Sequence, residues 1–152
     1  MKILSLTSIL TATLIGFSSL PIFSRSVEAQ TTSFFCGKIG ATPATIATKQ
    51  GNNMAIILWS ANNYFGESGE DSLTRCTRVS GILSSQQGNW SQNITVGVSR
   101  NGQPIICATN PQDGSCRLLY QVPNGQNPQQ ARQELLRRVA NPQPNLPPIT
   151  IN

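Results

Sequence analysis

The chain has 152 residues and a formal charge of +5 at pH 7, from 11 Lys and Arg against 6 Asp and Glu. Only 11% of the residues are charged, so the dense basic stripes typical of nucleic-acid binding are absent, although a mild basic bias favours anionic lipid or polysaccharide surfaces. The sequence has no histidine, which excludes Ser/His/Asp and Cys/His catalytic arrangements.

Residues 1–29 have the pattern of a secretory signal peptide. Lys2 precedes a mostly apolar run, and the small side chains of Val27 and Ala29 mark a cleavage site. The run is long enough for a transmembrane helix to be considered, but Pro21 and the small-residue exit favour processing. Cleavage would leave about 120 residues, a length typical of a single domain. The lost segment carries two basic residues and one acidic residue, so the charge would fall from +5 to +4.

The four cysteines all lie in the expected mature chain. An even number in an oxidising compartment predicts two disulfides. A zinc site or a thioredoxin-like motif would need a C-x-x-C spacing, which the chain lacks. Three pairings are possible, and loop entropy separates them by only about 1 kcal/mol. Proximity along the chain favours Cys107 with Cys116 and leaves Cys36 with Cys76.

The first predicted elements are strands. In "SFFCGK", Cys36 and Phe34 share one face of a short strand, and "ATIATK" and "NNMAIILWS" form a hairpin around Gly51 and Asn52. A loop rich in Asn, Gly and Ser follows at residues 61–71.

This loop carries Tyr64 and Phe65, close after Trp59. The three aromatic side chains could form a platform for a sugar or a lipid interface, although core packing is the commoner role in a small domain. Tyr64 and Phe65 are the more exposed candidates, because they stand in the loop. A ligand-binding module that uses this loop is therefore an alternative function.

The segment "DSLTRCTRVSGILSSQ" predicts a helix with Asp71 or Ser72 as N-cap. Gly81 weakens its second half by about 1 kcal/mol relative to Ala. The expected buried stripe contains Leu73, Cys76, Val79, Ser80 and Leu83.

A second hairpin is predicted around Asn101-Gly102, with Val98 opposite Ile105 and Val96 opposite Cys107. The next strand, "CRLLYQV", follows a turn, and alternation directs all four sulfurs into one core. The residues predicted to share one face of this strand are Cys116, Leu118, Tyr120 and Val122.

The last predicted helix begins near Asn127, with Pro128 at its first position. Its apolar face contains Ala131, Leu135, Leu136 and Val139, and its other side carries Arg132, Arg137 and Arg138. The tail at 141–152 has four prolines and no periodic pattern, so we expect it to be extended and disordered.

The expected organisation is a signal peptide at 1–29, one domain at 30–140 and the tail at 141–152. The order of elements favours an α+β domain, with an antiparallel sheet of about five or six strands and two helices packed on it. A β-sandwich is the alternative.

These assembled segments resemble the cyanobacterial circadian oscillating protein domain family. The resemblance rests on "FFCGK", "TIAT", "IILW" with "NYF", "RCTRVS", "VSRNGQPIICA", a following Cys before "LLYQV", and the "NP" that opens the final helix. It covers residues from about Phe34 to Val139. The resemblance implies an exported protein of a photosynthetic bacterium, in the periplasm, the thylakoid lumen or outside the cell. It also implies a membrane-peripheral location and no assigned reaction.

The acidic residues do not indicate catalysis. Glu67, Glu70 and Asp71 cluster in one loop and could be a carboxylate pair or a calcium site, but complementing the following helix N-terminus is the stronger interpretation. Asp113 and Glu134 fit a turn and a helix surface. No phosphate-binding or dinucleotide glycine motif is present. We therefore expect a protein that is not an enzyme and has no cofactor and no metal.

The expected function is association with an anionic membrane surface or an envelope polymer. Arg132, Arg137 and Arg138 are the candidate contacts, against the alternative of a solvated helix face. No nucleic-acid partner is expected, and the sequence makes no prediction of oligomeric state.

Overall fold

The computed structural model describes residues 31–60 and 69–152. The predicted signal peptide and the loop residues Tyr64, Phe65 and Glu67 lie outside this part. Its elements in chain order are β1 (Ser33–Ile39), β2 (Thr42–Lys49), β3 (Asn52–Trp59), α1 (Ser72–Ser85), α2 (Trp90–Asn93), β4 (Ile94–Val98), β5 (Pro104–Thr109), β6 (Cys116–Gln121), α3 (Pro128–Ala140) and β7 (Ile149–Ile151).

The strands form two sheets. The larger sheet has the order β1-β2-β3-β7, in which β7 runs parallel to β3 and the other pairs are antiparallel. The smaller sheet has the order β4-β5-β6 and is antiparallel throughout. The α+β class is confirmed, but the strands divide between two sheets where the sequence predicted one.

A single hydrophobic core joins both sheets to the two long helices. The helix α1 packs against β1 and β2, while α3 packs against β4 and β5. Trp59 of the larger sheet and Tyr120 of the smaller one are both almost completely buried in this cluster. Trp59 therefore has the core-packing role.

The helix boundaries follow local signals in the sequence. Asp71 caps α1, since its carboxylate accepts a hydrogen bond from the Thr74 N–H over 2.7 Å. Asn127 caps α3, with Pro128 as the first helical residue. Gly81 does not end α1, because the packing of its apolar neighbours outweighs about 1 kcal/mol of lost propensity.

One residue of the predicted α1 stripe is misplaced. Leu73 is 52% exposed, whereas Ser72 and Arg75 are the buried residues of the first turn. The buried stripe runs from Ser72 through Cys76 to Leu83, and Leu73 lies one position beside it.

The register of the β4–β5 hairpin differs by one residue from the prediction. Val98 pairs with Pro104 and Thr95 with Cys107. The turn is longer than two residues, because the Ser99 N–H bonds to the Gln103 carbonyl over 2.9 Å. A shift of one residue moves a side chain to the opposite face, so Cys107 faces away from the core.

A bulge between Ile106 and Cys107 changes the facing of β6. Tyr120 opposes Ile106, but Leu118 opposes Cys107, which leaves Leu119 as the extra residue. Tyr120 and Val122 therefore lie in the core, whereas Cys116 and Leu118 do not. The prediction that these four residues share one face was wrong.

The C-terminal segment is ordered, in contrast to the predicted disordered tail. β7 pairs with the end of β3, and Ile149 and Ile151 are buried against the core. Three residues are too few for their alternation to stand out in the sequence. Ile149 pairs with Ile57 and Ile151 with Trp59, each about ninety positions away along the chain, so no local signal indicates the pairing.

Candidate functional site

The three arginines predicted to bind a surface have different environments. Arg132 donates from Nε to the Ile94 carbonyl over 2.6 Å and from Nη2 to the Ser91 carbonyl over 2.8 Å. Arg138 is buried and donates to the Pro147 carbonyl over 2.9 Å, while also pairing with Glu134. Only Arg137 of the three is exposed. The expectation of one exposed arginine face was therefore wrong.

Both preferred disulfides are present, each with a Cα–Cα distance of 5.4 Å. Cys36–Cys76 joins β1 to α1 beside the core. Cys107–Cys116 joins β5 to β6 on the outer face of the smaller sheet, with Cys116 exposed. The prediction that all four sulfurs lie in one core fails for this second pair, because of the register shift and the bulge: Cys107 is buried but lies outside the main core cluster, and Cys116 is exposed.

The charged side chains of the α1 region are paired with one another or with backbone groups. The Thr74 N–H lowers the pKa of the Asp71 carboxyl. The Glu70 carboxylate accepts from Arg78 Nε over 2.8 Å, and the same guanidinium contacts the Leu118 carbonyl. These contacts hold the start of α1 in place.

The remaining acidic groups have similar local roles. The Ser115 hydroxyl and backbone N–H lower the pKa of Asp113, which closes the β5–β6 turn. Glu134 pairs with Arg138 along α3. Among residues 31–60 and 69–152, no group of three or more His, Cys, Asp or Glu side chains could hold a metal ion.

Arg75 and Tyr120 are among the buried side chains that carry polar groups. The Arg75 guanidinium lies 4.8 Å from the Trp59 ring centroid, and burial lowers the pKa of Arg75 to about 10, so it remains a cation at neutral pH. Tyr120 donates to the Ala131 carbonyl over 3.3 Å, and burial raises the pKa of its hydroxyl. Both side chains support packing between the sheets and helices.

The outer face of the larger sheet is the most unusual surface. Side chains alternate along β1, so Phe34 packs inward on Trp90, with ring centroids 5.7 Å apart. Phe35 and Ile39 point outward and are 42% and 51% exposed. We define the outer patch as Phe35, Gly37, Ile39, Ala44, Ile46 and Leu58, which share this face through the pairing of β1, β2 and β3.

The floor of the outer patch is closely packed. A Cβ on Gly37 would lie 2.6 Å from Ile46 Cδ1 and 3.2 Å from Phe35 Cε2. The two side chains therefore cover the glycine, and Ile46, which pairs with Phe35, is buried. The two exposed side chains, Phe35 and Ile39, lie beside a closely packed apolar floor.

The chain segment that forms the outer patch carries charges of one sign. Residues 31–60 contain Lys38 and Lys49 and no Asp or Glu. Lys38 is exposed in the edge strand β1, where alternation directs its side chain to the face opposite to that of Ile39. Its ammonium pairs with no carboxylate in the described chain. An apolar face with an exposed cation on the same edge strand is suited to an anionic, partly apolar surface.

Sequence reasoning missed the outer patch, although a signal exists. In β1 and β2 apolar residues occupy both odd and even positions, a pattern expected when both faces of a strand contact apolar surroundings. The alternation that includes Cys36 and Phe34 indicates only the inner face.

A family model for circadian oscillating protein COP23 matches residues 33–149. The chain belongs to the COP23 family. The COP23 match begins at the first residue of β1 and ends at the first residue of β7, so it includes both disulfides and the outer patch. No curated protein and no solved structure matches the chain.

The two long helices of the COP23 domain in the part that the structure describes are α1 and α3. None of its helices there has the length and apolarity needed to cross a bilayer.

Proposed function

We propose that this exported COP23 domain binds peripherally to an anionic lipid surface through the outer patch. The observation that carries the proposal is the pair of half-exposed side chains, Phe35 and Ile39, on a sheet whose only charged residues are lysines. The side chains of Phe35 and Ile39 would enter the headgroup boundary, and Lys38, on the other face of the same edge strand, would add longer-range attraction to lipid phosphates.

The expected binding is weak and reversible. Burying a half-exposed Phe or Ile contributes about 1 kcal/mol, since complete burial contributes about 1.5–3 kcal/mol. A lysine near an anionic membrane contributes about 1 kcal/mol. These contributions together support peripheral attachment that a salt wash weakens.

Export is the second part of the proposal. Two disulfides within one small domain support an oxidising compartment, and the expected signal peptide agrees with it. The lipid surface would then be one that faces such a compartment.

The arginines of α3 have a secondary place in this proposal. Arg132 and Arg138 bond to backbone carbonyls, so their removal would disturb the fold before it reduced surface charge. Arg137 remains as a general contribution to positive charge. The outer patch replaces this helix as the expected contact surface.

Vesicle flotation tests the proposal. Mature protein should float with vesicles of phosphatidylglycerol and phosphatidylcholine at low salt, and only weakly with phosphatidylcholine alone. The double variant Phe35→Ser, Ile39→Ser should bind roughly tenfold or more weakly, because about 1.4 kcal/mol corresponds to a factor of ten. The matched control is Leu73→Ser, Val98→Ser, which removes two other exposed apolar side chains and should bind normally.

Equal flotation of the two double variants would contradict the proposal. So would dissociation of a dimer by the patch variant with unchanged vesicle binding, because the patch would then join two copies of the chain. Near-ultraviolet circular dichroism of each variant checks that the core is intact.

A further inference from the structure

The turn end of the β2–β3 hairpin borders two cavities that share Lys49. One, of about 460 Å³, lies between the hairpin and the segment that follows α3. The other, of about 300 Å³, lies between Lys49 and Trp90. Both volumes fall in the range of small-molecule sites. We call the two cavities together the Lys49 groove. Lys38 pairs with Pro43 at the opposite end of β2, so the groove is separate from the outer patch.

The lining of the Lys49 groove has one positively charged side chain and no negatively charged one. No Asp or Glu lines either cavity. The Lys49 ammonium makes no ion pair or hydrogen bond with any residue that the structure describes. A ligand with one negative group would therefore meet a charge that no neighbouring carboxylate neutralises.

Much of the remaining lining of the larger cavity is neutral and polar. Amide side chains both donate and accept hydrogen bonds, which suits a ligand rich in hydroxyl groups. The Asn53 amide oxygen accepts from Thr48 Oγ1 over 2.7 Å, which orients this side chain and leaves its NH₂ group as a donor. The four amide residues of the larger cavity are Gln50, Asn52, Asn53 and Asn141.

Buried apolar side chains supply part of each cavity wall. Met54 and Pro142 line the larger cavity, and Trp90 lines the smaller one. The C–H faces of a sugar ring pack on such surfaces while its hydroxyl groups bond at the edges.

The turn beside the larger cavity holds an uncommon backbone conformation. Gln50 has φ 53°, and it is the one residue other than glycine with positive φ in the described ranges. Gln50 and Gly51 form a two-residue turn between the paired residues Lys49 and Asn52, and both have the positive φ that a type I′ hairpin turn requires. The turn places the Gln50 amide beside the larger cavity.

We infer that the Lys49 groove binds a sugar acid, as a uronic acid unit of an acidic polysaccharide. The carboxylate pairs with the Lys49 ammonium, the hydroxyl groups bond to the amides, and the ring packs on Met54 or Trp90. A phosphate ligand fits less well, because phosphate sites combine several cations or a nest of backbone N–H groups. This inference does not depend on membrane binding.

Isothermal titration calorimetry with trigalacturonate at low salt tests the inference. The mature protein should bind trigalacturonate, and it should bind neutral galactotriose about tenfold more weakly or not at all. Lys49→Gln should weaken trigalacturonate binding by about tenfold or more, while Lys49→Arg, which keeps the charge, should retain most of it. Lys38→Gln is the matched control and should leave the affinity unchanged.

Three results would each overturn the inference. They are no binding of trigalacturonate, equal binding of the neutral sugar, and an affinity that Lys49→Gln does not change. Tight competition by inorganic phosphate would also overturn it, by assigning the groove to phosphate. Thermal unfolding confirms that the variants fold. Flotation with anionic vesicles, which Lys49→Gln should leave largely intact, separates this outcome from a failure of the proposed function.

Discussion

Two glycines of this domain occupy opposite environments. Gly97 lies in β4 directly below the outer disulfide, where an added Cβ would be 3.2 Å from Cys107 Sγ and 3.4 Å from Cys116 Sγ. Gly81 lies exposed in α1 with no atom within 4 Å of an added Cβ. The space available at each position, and not its secondary structure alone, therefore decides the effect of a substitution.

We expect Gly97→Ala to lower the free energy of unfolding by about 1–2 kcal/mol, because the cross-linked sulfurs and Ile105 surround the new methyl group. Gly81→Ala is the matched control and should raise it by about 1 kcal/mol, through better helix propensity. Urea denaturation of the oxidised proteins measures both. A stabilising Gly97→Ala would contradict the packing described for this disulfide.

The cap of α1 predicts how stability depends on pH. The pKa of Asp71 lies below its ordinary 3.8 in the folded state, because the Thr74 N–H bonds to the charged carboxylate. The stability that the Asp71 carboxylate contributes is complete above its pKa in the unfolded chain. This stability is lost as the pH falls through its lower pKa in the folded protein. Asp71→Asn keeps the cap oxygen but does not titrate, so the wild type should lose its stability advantage over this variant on acidification.

Urea titrations of both proteins from neutral pH to below 3.8 measure this difference. Asp113 titrates in both proteins and cancels. A stability difference that grows as the pH falls would contradict the assigned cap.

Among helices and strands, features set by neighbouring residues were predicted correctly, and features set by residues distant in sequence were not. The first residues of α1 and α3 were predicted from Asp71, Asn127 and Pro128, because an N-cap side chain bonds within the first turn of its own helix. The register of β4 with β5 depends on how the Asn101-Gly102 turn closes, and the loop has three residues, 100–102, where two were expected. β7 depends on a partner strand that is distant in sequence.

β7 should contribute to stability through its inward side chains. Ile151 is buried and pairs with Trp59 across the parallel ladder, so Ile151→Ala should lower the free energy of unfolding by about 2–4 kcal/mol. Thr150→Ala, on the outer face of the same strand, should change it by less than about 0.5 kcal/mol. Chemical denaturation followed by tryptophan fluorescence measures both. Equal effects of the two variants would show that β7 does not pack on the core.

At the scale of the whole molecule, charge and apolar surface are distributed unevenly. The acidic groups of the described chain, such as Glu70 and Glu134, lie on or beside helices and in the β5–β6 turn, whereas the larger sheet carries only lysines. Sequence composition indicated a mild basic bias but could not locate it, because three-dimensional packing decides which side chains remain exposed. The sequence pattern indicated the arginines of α3 as the surface-binding residues, but two of them, Arg132 and Arg138, bond to backbone carbonyls.

Depth-dependent quenching tests the central claim, that the outer patch enters the lipid headgroup boundary. Trp59 and Trp90 are buried, so a tryptophan placed at the surface adds a distinguishable signal. With anionic vesicles that contain brominated lipids, Phe35→Trp should be quenched strongly, and Val98→Trp, which replaces another exposed apolar side chain, should not. Quenching at position 98 without quenching at position 35 would contradict the account.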